Sequence, residues 1–205
     1  MKAPPATERG RRTRTAILTA AAELMHRHGL AGPSIDDVLV ASGTGKSQLY
    51  HYFDNRQDLA AAVLYHQFDR VMAAQPALHD PACADLQTWR DQVLKAHRAS
   101  GYGMCPLGAF VGQVDDEPEL SSILADLFNR WEQGLAELVS RARDQGNVRS
   151  DIAPKDAGQL LLAALEGGTI LAHLHRKPTA LKRSLDSAIA VLTARDASAV
   201  RRRTD

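Results

Sequence analysis

Lys46, Gln48, Tyr50, His51 and Tyr52 stand close together, interleaved with apolar Leu49 and Phe53. In a helix that order turns Leu49 and Phe53 inward and leaves the polar set facing out. Lysine suits guanine and glutamine suits adenine in a major groove. Tyr50 and Tyr52 can give hydroxyls to phosphates, which fix register without reading sequence. Upstream, Arg9, Arg11, Arg12 and Arg14 form a basic arm able to grip phosphates or enter a minor groove. Residues 1–60 carry eight Lys and Arg against six Asp and Glu, and four of those eight cations lie in this arm. The chemistry on offer is recognition of double-stranded DNA.

Other groupings invite other chemistry and fail on spacing. Gly43–Ser47 reads GTGKS, but a phosphate loop needs a glycine where Val40 stands, and no apolar strand precedes it. His26 and His28, like His173 and His175, are two residues apart. That is about 200° around a helix, so neither pair converges on a metal. Asp115, Asp116 and Glu117 precede Pro118 and read as a loop before a helix N-terminus, where acidic charge is favoured. The reading therefore has no catalytic residue, no metal and no cofactor. Cys105 precedes Pro106, a residue favoured at the first helical position. A helix starting there would aim its positive dipole at the sulfur and favour the thiolate; the competing reading is a small buried apolar cysteine.

The elements that must position these residues are helical. The chain has 205 residues, 44% hydrophobic and 24% charged, with aromatics at only 5%, so its core is aliphatic. A net charge of +1 excludes a uniformly basic coat while leaving room for a local basic patch. The longest apolar run, Leu59–Tyr65, is seven residues, against the roughly 18 a bilayer span needs, so no membrane partner is expected. No apolar stretch follows the basic N-terminus, and two cysteines form no disulfide framework, which together suit a reducing cytoplasm.

Ile17, Ala21, Leu24 and Met25 share a first helical face that ends at His28-Gly29. Ser34, with Asp37 three residues on, starts a short second helix that ends at Ser42-Gly43. KSQLYHYF makes a third, and Asp54-Asn55 break it. A longer helix from Arg56 past Val71 has apolar residues on two faces, Leu59/Val63 and Leu64/Phe68/Val71, as a connector between packed units would. Leu86, Trp89, Val93 and His97 mark a fifth helix before the Gly-rich SGYGMCPLG. Residues 120–139, 155–175 and 179–195 carry the remaining helical periods. Three short helices, the second and third separated by a tight Ser-Gly-Thr-Gly turn, describe a helix-turn-helix.

SIDDVLVASGTGKSQLYHYFDNRQDLAAAVL resembles the N-terminal DNA-binding domain of the TetR/AcrR family of bacterial repressors. Leu49-Tyr50-His51-Tyr52-Phe53 is the specific core of a likeness covering about residues 12–62. Ser34 stands where the family usually has a capping Thr, Val38 replaces an Ile, Thr44-Gly45 replace Val-Ser, and Arg56 fills a Lys position. Gly45 has no capping side chain, and its N–H is expected to be free for a phosphate. The GMCPLG segment resembles an element of the LmrA/YxaF-like subgroup. The resemblance implies a homodimer on a palindromic operator, released when a small molecule fills a C-terminal cavity. Its DNA-contacting set here is Arg11, Arg12, Arg14, Ser34, Thr44, Gly45, Lys46, Gln48, Tyr50, His51, Tyr52 and Arg56.

The expected architecture is all-α with about nine helices: an arm at 1–10, a helix-turn-helix domain at 11–55, an effector-binding and dimerisation domain at 56–195, and a basic tail at 196–205 containing Arg201–Arg203. Trp89, Val93, Met104, Cys105, Phe110, Phe128 and Trp131 are the expected ligand-lining residues, since Trp89, Phe110, Phe128 and Trp131 together lean towards a pocket in an aromatic-poor chain. Leu160, Leu161, Ala164, Gly168 and Leu171, facing Leu181, Leu185, Ile189 and Leu192, are the expected dimer contacts. Two readings compete with a DNA-binding regulator. One is a helical small-molecule binder or enzyme that does not act on DNA; the other is an oligomeric scaffold. The first does not need the outward Lys46, Gln48, Tyr50 and His51 or the arginine arm, and the second does not account for the aromatic cluster.

Overall fold

A computed structural model describes Lys2 and residues 5–194; the tail expected at 196–205 lies outside the described residues. Among the described residues there are eight α-helices, two short 3-10 turns and no strand. The helices are α1 (Glu8–His28), α2 (Ile35–Ser42), α3 (Lys46–Tyr52), α4 (Arg56–Ala73), α5 (Leu86–Ala99), α6 (Pro118–Asp144), α7 (Pro154–His175) and α8 (Thr179–Thr193).

Two compact units share these elements, Met1–Val71 with Pro106–Leu127, and Met72–Cys105 with Phe128–Asp205. This division differs from the expected boundary at 55/56. Helix α4 stays with the first three helices for most of its length, because both of its apolar faces are buried. The chain also returns to the first unit at Pro106, immediately after Cys105.

In the first unit, α1 begins inside the stretch expected as an arm. Thr7 caps it, accepting the Gly10 N–H at 3.1 Å, and Glu8 in the first turn pairs with Arg11 at 2.9 Å and Arg12 at 3.0 Å. A cap and an acidic first turn are the usual supports of a helix start. Ser34 and Asp37 form the expected reciprocal capping box at α2. Gly43 ends α2 in the left-handed conformation, φ 64°, which a side chain would resist. Ile17, Ala21, Met25, Val38, Leu49 and Phe53 fill the core beneath these three helices.

In the second unit, α7 and α8 form a close hairpin. A Cβ added to Gly168 would lie 2.8 Å from the Leu181 Cα, so the two helices touch at backbone distance. Leu161, Leu181, Leu185, Ile189 and Leu192 are buried in the protomer. This corrects the expected dimer set: these five and Gly168 build the subunit interior. Ala164 is half-buried, and Leu160 and Leu171 alone are exposed. The apolar face left open consists of Leu160, Ile170, Leu171, Leu174 and, on α8, Val191. Leu174 is 69% exposed. By length and composition α7 could cross a membrane; its apolarity is divided between the α8 contact and this open face.

Candidate nucleic-acid interface

Helix α3 presents its polar residues as the spacing predicts. Leu49 is fully buried, while Lys46, Gln48, Tyr50 and His51 are exposed and Tyr52 is half-buried. His51 and Tyr52 meet edge to face, with ring centroids 4.9 Å apart. Thr44 hydrogen-bonds Ser42 across the turn at 2.8 Å. Ser34, also exposed, has its hydroxyl engaged with Asp37, so its place beside the turn is fixed by the capping box. That hydroxyl and the Ser34 N–H hold the Asp37 carboxyl below its ordinary range.

Several expected contacts are already occupied within the chain. The Gly45 N–H is not free for a phosphate: it donates to Gln48 Oε1 at 3.1 Å, a side-chain cap that replaces the missing hydroxyl at Gly45. Bidentate adenine readout by Gln48 therefore requires this bond to open. Arg56 is not an outward cation. Its guanidinium donates to the carbonyls of Leu30, at 2.8 Å, and Pro33, at 3.3 Å, clamping the loop between α1 and α2. The same loop is held by Gln113, whose Oε1 accepts the Leu30 N–H at 2.7 Å. Sequence spacing gave no signal for Gln113, because its partner is far along the chain.

Among the arm arginines, Arg11 and Arg12 are exposed and share Glu8, so a phosphate must compete with one carboxylate for both. Arg14 lies over the Phe53 ring at 5.4 Å, a cation–π contact that joins α1 to the end of α3. Lys2 donates to the Tyr50 carbonyl at 2.8 Å and pairs with Asp54 at 2.9 Å, an anchor the sequence did not suggest.

The expected ligand residues separate. Phe110 is buried in the first unit, whereas Trp89, Val93, Met104, Cys105, Phe128 and Trp131 belong to the second. Both indoles are fully buried and donate to one oxygen, Gln75 Oε1, at 2.7 Å from Trp89 and 3.3 Å from Trp131. Phe128 is half-buried with its ring 6.0 Å from that of Trp131. Met104 is half-buried and Val93 buried. Cys105 is buried, but no α-helix starts at Pro106; a three-residue 3-10 turn, Gly108–Phe110, follows instead. The expected dipole is therefore absent, and the thiol hydrogen-bonds the Glu166 carboxyl. His173 donates from Nδ1 to the Tyr102 carbonyl, at 3.0 Å. Among the described residues, no three His, Cys, Asp or Glu side chains gather as a metal site.

Comparison with known proteins gives this geometry its context. A family model described as "Bacterial regulatory proteins, tetR family" matches residues 17–63, and "Tetracyclin repressor-like, C-terminal domain" matches residues 86–188. An HTH-type transcriptional regulator from the lacX 3' region of Lactococcus lactis, itself uncharacterized, is 25% identical over 188 residues, covering 86% of this chain and 91% of the relative. The repressor LfrR of Mycolicibacterium smegmatis is 29% identical over 171 residues, covering 80% of this chain and 82% of LfrR. The regulatory protein TetR from Rhodobacter sphaeroides shares the fold with a TM-score of 0.77 at 20% identity, over 88% of this chain and 98% of that one. A TetR regulator from Chloroflexus aurantiacus gives 0.75 at 22% identity, over 92% and 98%. These matches reach the family and not the LmrA/YxaF-like subgroup. The chain belongs to the tetR family of bacterial regulatory proteins, and it is a helix-turn-helix transcriptional regulator that binds DNA.

Proposed function

We propose that the chain is a cytoplasmic homodimeric repressor that grips a palindromic operator through α3 and leaves it when a small molecule enters the second unit. The observation that carries the DNA reading is the exposed row Lys46, Gln48, Tyr50 and His51 on a helix whose inward residues are fully buried. Lys46 and Gln48 are the base readers. Arg11, Arg12, Tyr50 and Tyr52, with Thr44 at the turn, supply phosphate contacts that set register. Arg56 and Ser34 act as positioning residues that hold α2 and α3 in place.

Assembly rests on the open apolar face of α7 and α8. Leu160, Ile170, Leu171, Leu174 and Val191 would be costly to leave in water, and a second copy covers them with the same five residues. Two subunits then contribute two helices each to a four-helix bundle. A twofold dimer presents two α3 helices to successive major grooves, offset by about 10 bp or a multiple. Effector binding changes occupancy only if the effector prefers the form that cannot bind DNA. An enzymatic role finds no support in this set of residues, whose exposed members are donors aimed outward.

The test is selection of bound duplexes from a random pool, together with light scattering of the free protein. The proposal predicts a dimer without DNA and a selected site with two inverted half-sites at the stated spacing. A monomer at micromolar concentration, or a selected site without twofold symmetry, contradicts it.

A further inference from the structure

The loop between α1 and α2 is held from two places outside it. It leaves α1 at Gly29 and doubles back, with the Gly32 N–H on the Gly29 carbonyl at 3.1 Å. A Cβ on Gly32 would lie 2.3 Å from the His28 carbonyl oxygen, so the turn is too tight for a side chain there. Leu30 is buried within it, and side chains take both of its main-chain groups. Arg56, at the start of α4, donates to the Leu30 carbonyl at 2.8 Å. Gln113 Oε1 accepts the Leu30 N–H at 2.7 Å. All three residues belong to the first unit.

We infer that Gln113 is a positioning residue for operator binding, acting through Leu30 to set where α2 and α3 stand without itself touching DNA. The inference rests on α3 as the reader and assigns part of its placement to a residue outside the helix-turn-helix. Arg56 holds carbonyls only, at Leu30 and Pro33. The N–H of Leu30 is answered by Gln113, and a main-chain donor turned away from water needs such an acceptor. Ser34, which caps α2, follows Pro33 directly, so the course of the loop fixes where α2 begins. The short turn at Gly43–Gly45 carries that placement on to α3. Without the Gln113 acceptor the Leu30 N–H can turn to water, and the loop gains courses in which α2 starts elsewhere. Affinity then falls with the fraction of molecules that keep the competent course.

Gln113 is itself fixed before it meets Leu30. Leu107, Phe110 and Val114 bury the segment on which it stands. Its main-chain N–H donates to the Phe110 carbonyl at 3.0 Å. Its Nε2 donates to the Ala109 carbonyl at 2.5 Å, which leaves Oε1 facing Leu30. Farther along the segment, Glu117 Oε2 accepts from Gln57 Nε2 at 3.5 Å, beside Arg56 on α4. The two holds on Leu30 are therefore joined to each other. A side chain locked in this way by its neighbours can place its partner closely.

The experiment compares the full-length wild type with Gln113→Met and Gln113→Glu. Gln113 is exposed, so neither change opens the core. Methionine keeps the length and loses the amide, whereas glutamate keeps the acceptor and loses the donor to Ala109. Two quantities are read: hydrogen exchange of the Leu30 amide in the free protein, by NMR, and affinity for a duplex selected from a random pool, by fluorescence anisotropy. In Gln113→Met the Leu30 amide should exchange about tenfold faster, and the duplex should bind roughly five- to tenfold more weakly. Gln113→Glu should stay within about twofold of wild type in both. Wild-type affinity in Gln113→Met, equal losses in the two variants, or a loss of affinity with Leu30 exchange unchanged overturns the inference. The double variant Lys46→Ala, Gln48→Ala on the same duplex keeps the two readings apart. If it binds weakly while Gln113→Met does not, the positioning role fails and α3 remains the reader. If Gln113→Met behaves as expected while the double variant binds normally, Gln113 still positions the DNA-binding elements and the base-reading assignment fails.

Discussion

The chain has two glycine-rich connectors that behave differently. Ser42–Gly45, between α2 and α3, is held by neighbours within a few residues: Gly43 turns left-handed, Ser42 bonds Thr44, and Gln48 caps Gly45. Ser100–Gly108, between α5 and the 3-10 turn, also turns left-handed at Gly101 and Tyr102. Its start is held locally, with the Gly101 and Tyr102 N–H groups on the Arg98 and His97 carbonyls, but it is also anchored from α7, through Glu166 on Cys105 and His173 on Tyr102. A locally anchored turn keeps its shape when the rest of the molecule changes. A connector anchored from a distant helix takes its shape from whatever that helix binds. The first property suits a fixed DNA-reading surface, and the second suits a sensor.

The largest expected effect sharpens this contrast in the second unit. Leu174→Glu and Ile170→Glu place charge on the open face of α7 and should leave the subunit folded but monomeric. Operator affinity should then fall by roughly 10²–10⁴-fold as the second half-site is lost. Leu185→Glu, in the α7–α8 interior, should unfold the subunit instead. Circular dichroism and light scattering separate the two outcomes, and a folded monomer from Leu185→Glu would show that the interior and interface faces were exchanged.

Gln75→Leu should be next in size. It strands two buried indole N–H donors at once, each worth about 1–3 kcal/mol. Urea melts followed by tryptophan fluorescence report this directly, because both tryptophans lie in the second unit. A loss below 1 kcal/mol would mean the indoles find other acceptors. Gly168→Ala should cost about 1–3 kcal/mol, the usual effect of overpacking, because the added methyl meets the α8 backbone.

These variants also mark where the sequence was readable. The capping box at Ser34, the turn at Gly43 and the outward face of α3 are set by residues a few positions apart, so periodicity and turn chemistry exposed them. Arg56 departs from its expected outward position for the opposite reason. Its charge suggested a phosphate, while the carbonyls that hold it, at Leu30 and Pro33, carry no signature in the side-chain sequence. Most of the residues expected as dimer contacts are interior because α7 is apolar on two sides, and a 3.6-residue period does not say which side packs against α8. Of the two readings of Cys105, the buried cysteine holds and the helix start does not, because Pro106 begins no α-helix.

The smallest effects lie at the α2 start. Ser34→Ala should cost about 1 kcal/mol through loss of the cap. Asp37 has a lowered pKa in the fold, so its contribution is present above the ordinary carboxylate range and is lost as pH falls through its lowered value. Glu166 runs the other way. Its raised pKa favours the fold at low pH, and that advantage fades as pH rises from the ordinary range through the raised value. Melting temperatures from pH 3 to 7 for wild type, Ser34→Ala and Glu166→Gln should show these opposite slopes. Parallel curves for all three would contradict both assignments.

The most direct test of the central claim is fluorescence anisotropy on a selected operator and its single-base variants, with wild type, Lys46→Ala, Gln48→Ala and the double variant. If α3 reads the operator, each single variant loses about 1–3 kcal/mol of discrimination at one base position and little at the others. The double variant then keeps salt-dependent binding but no longer prefers the selected site. Unchanged affinity and unchanged base preference in the double variant would contradict the claim and move the reading surface elsewhere.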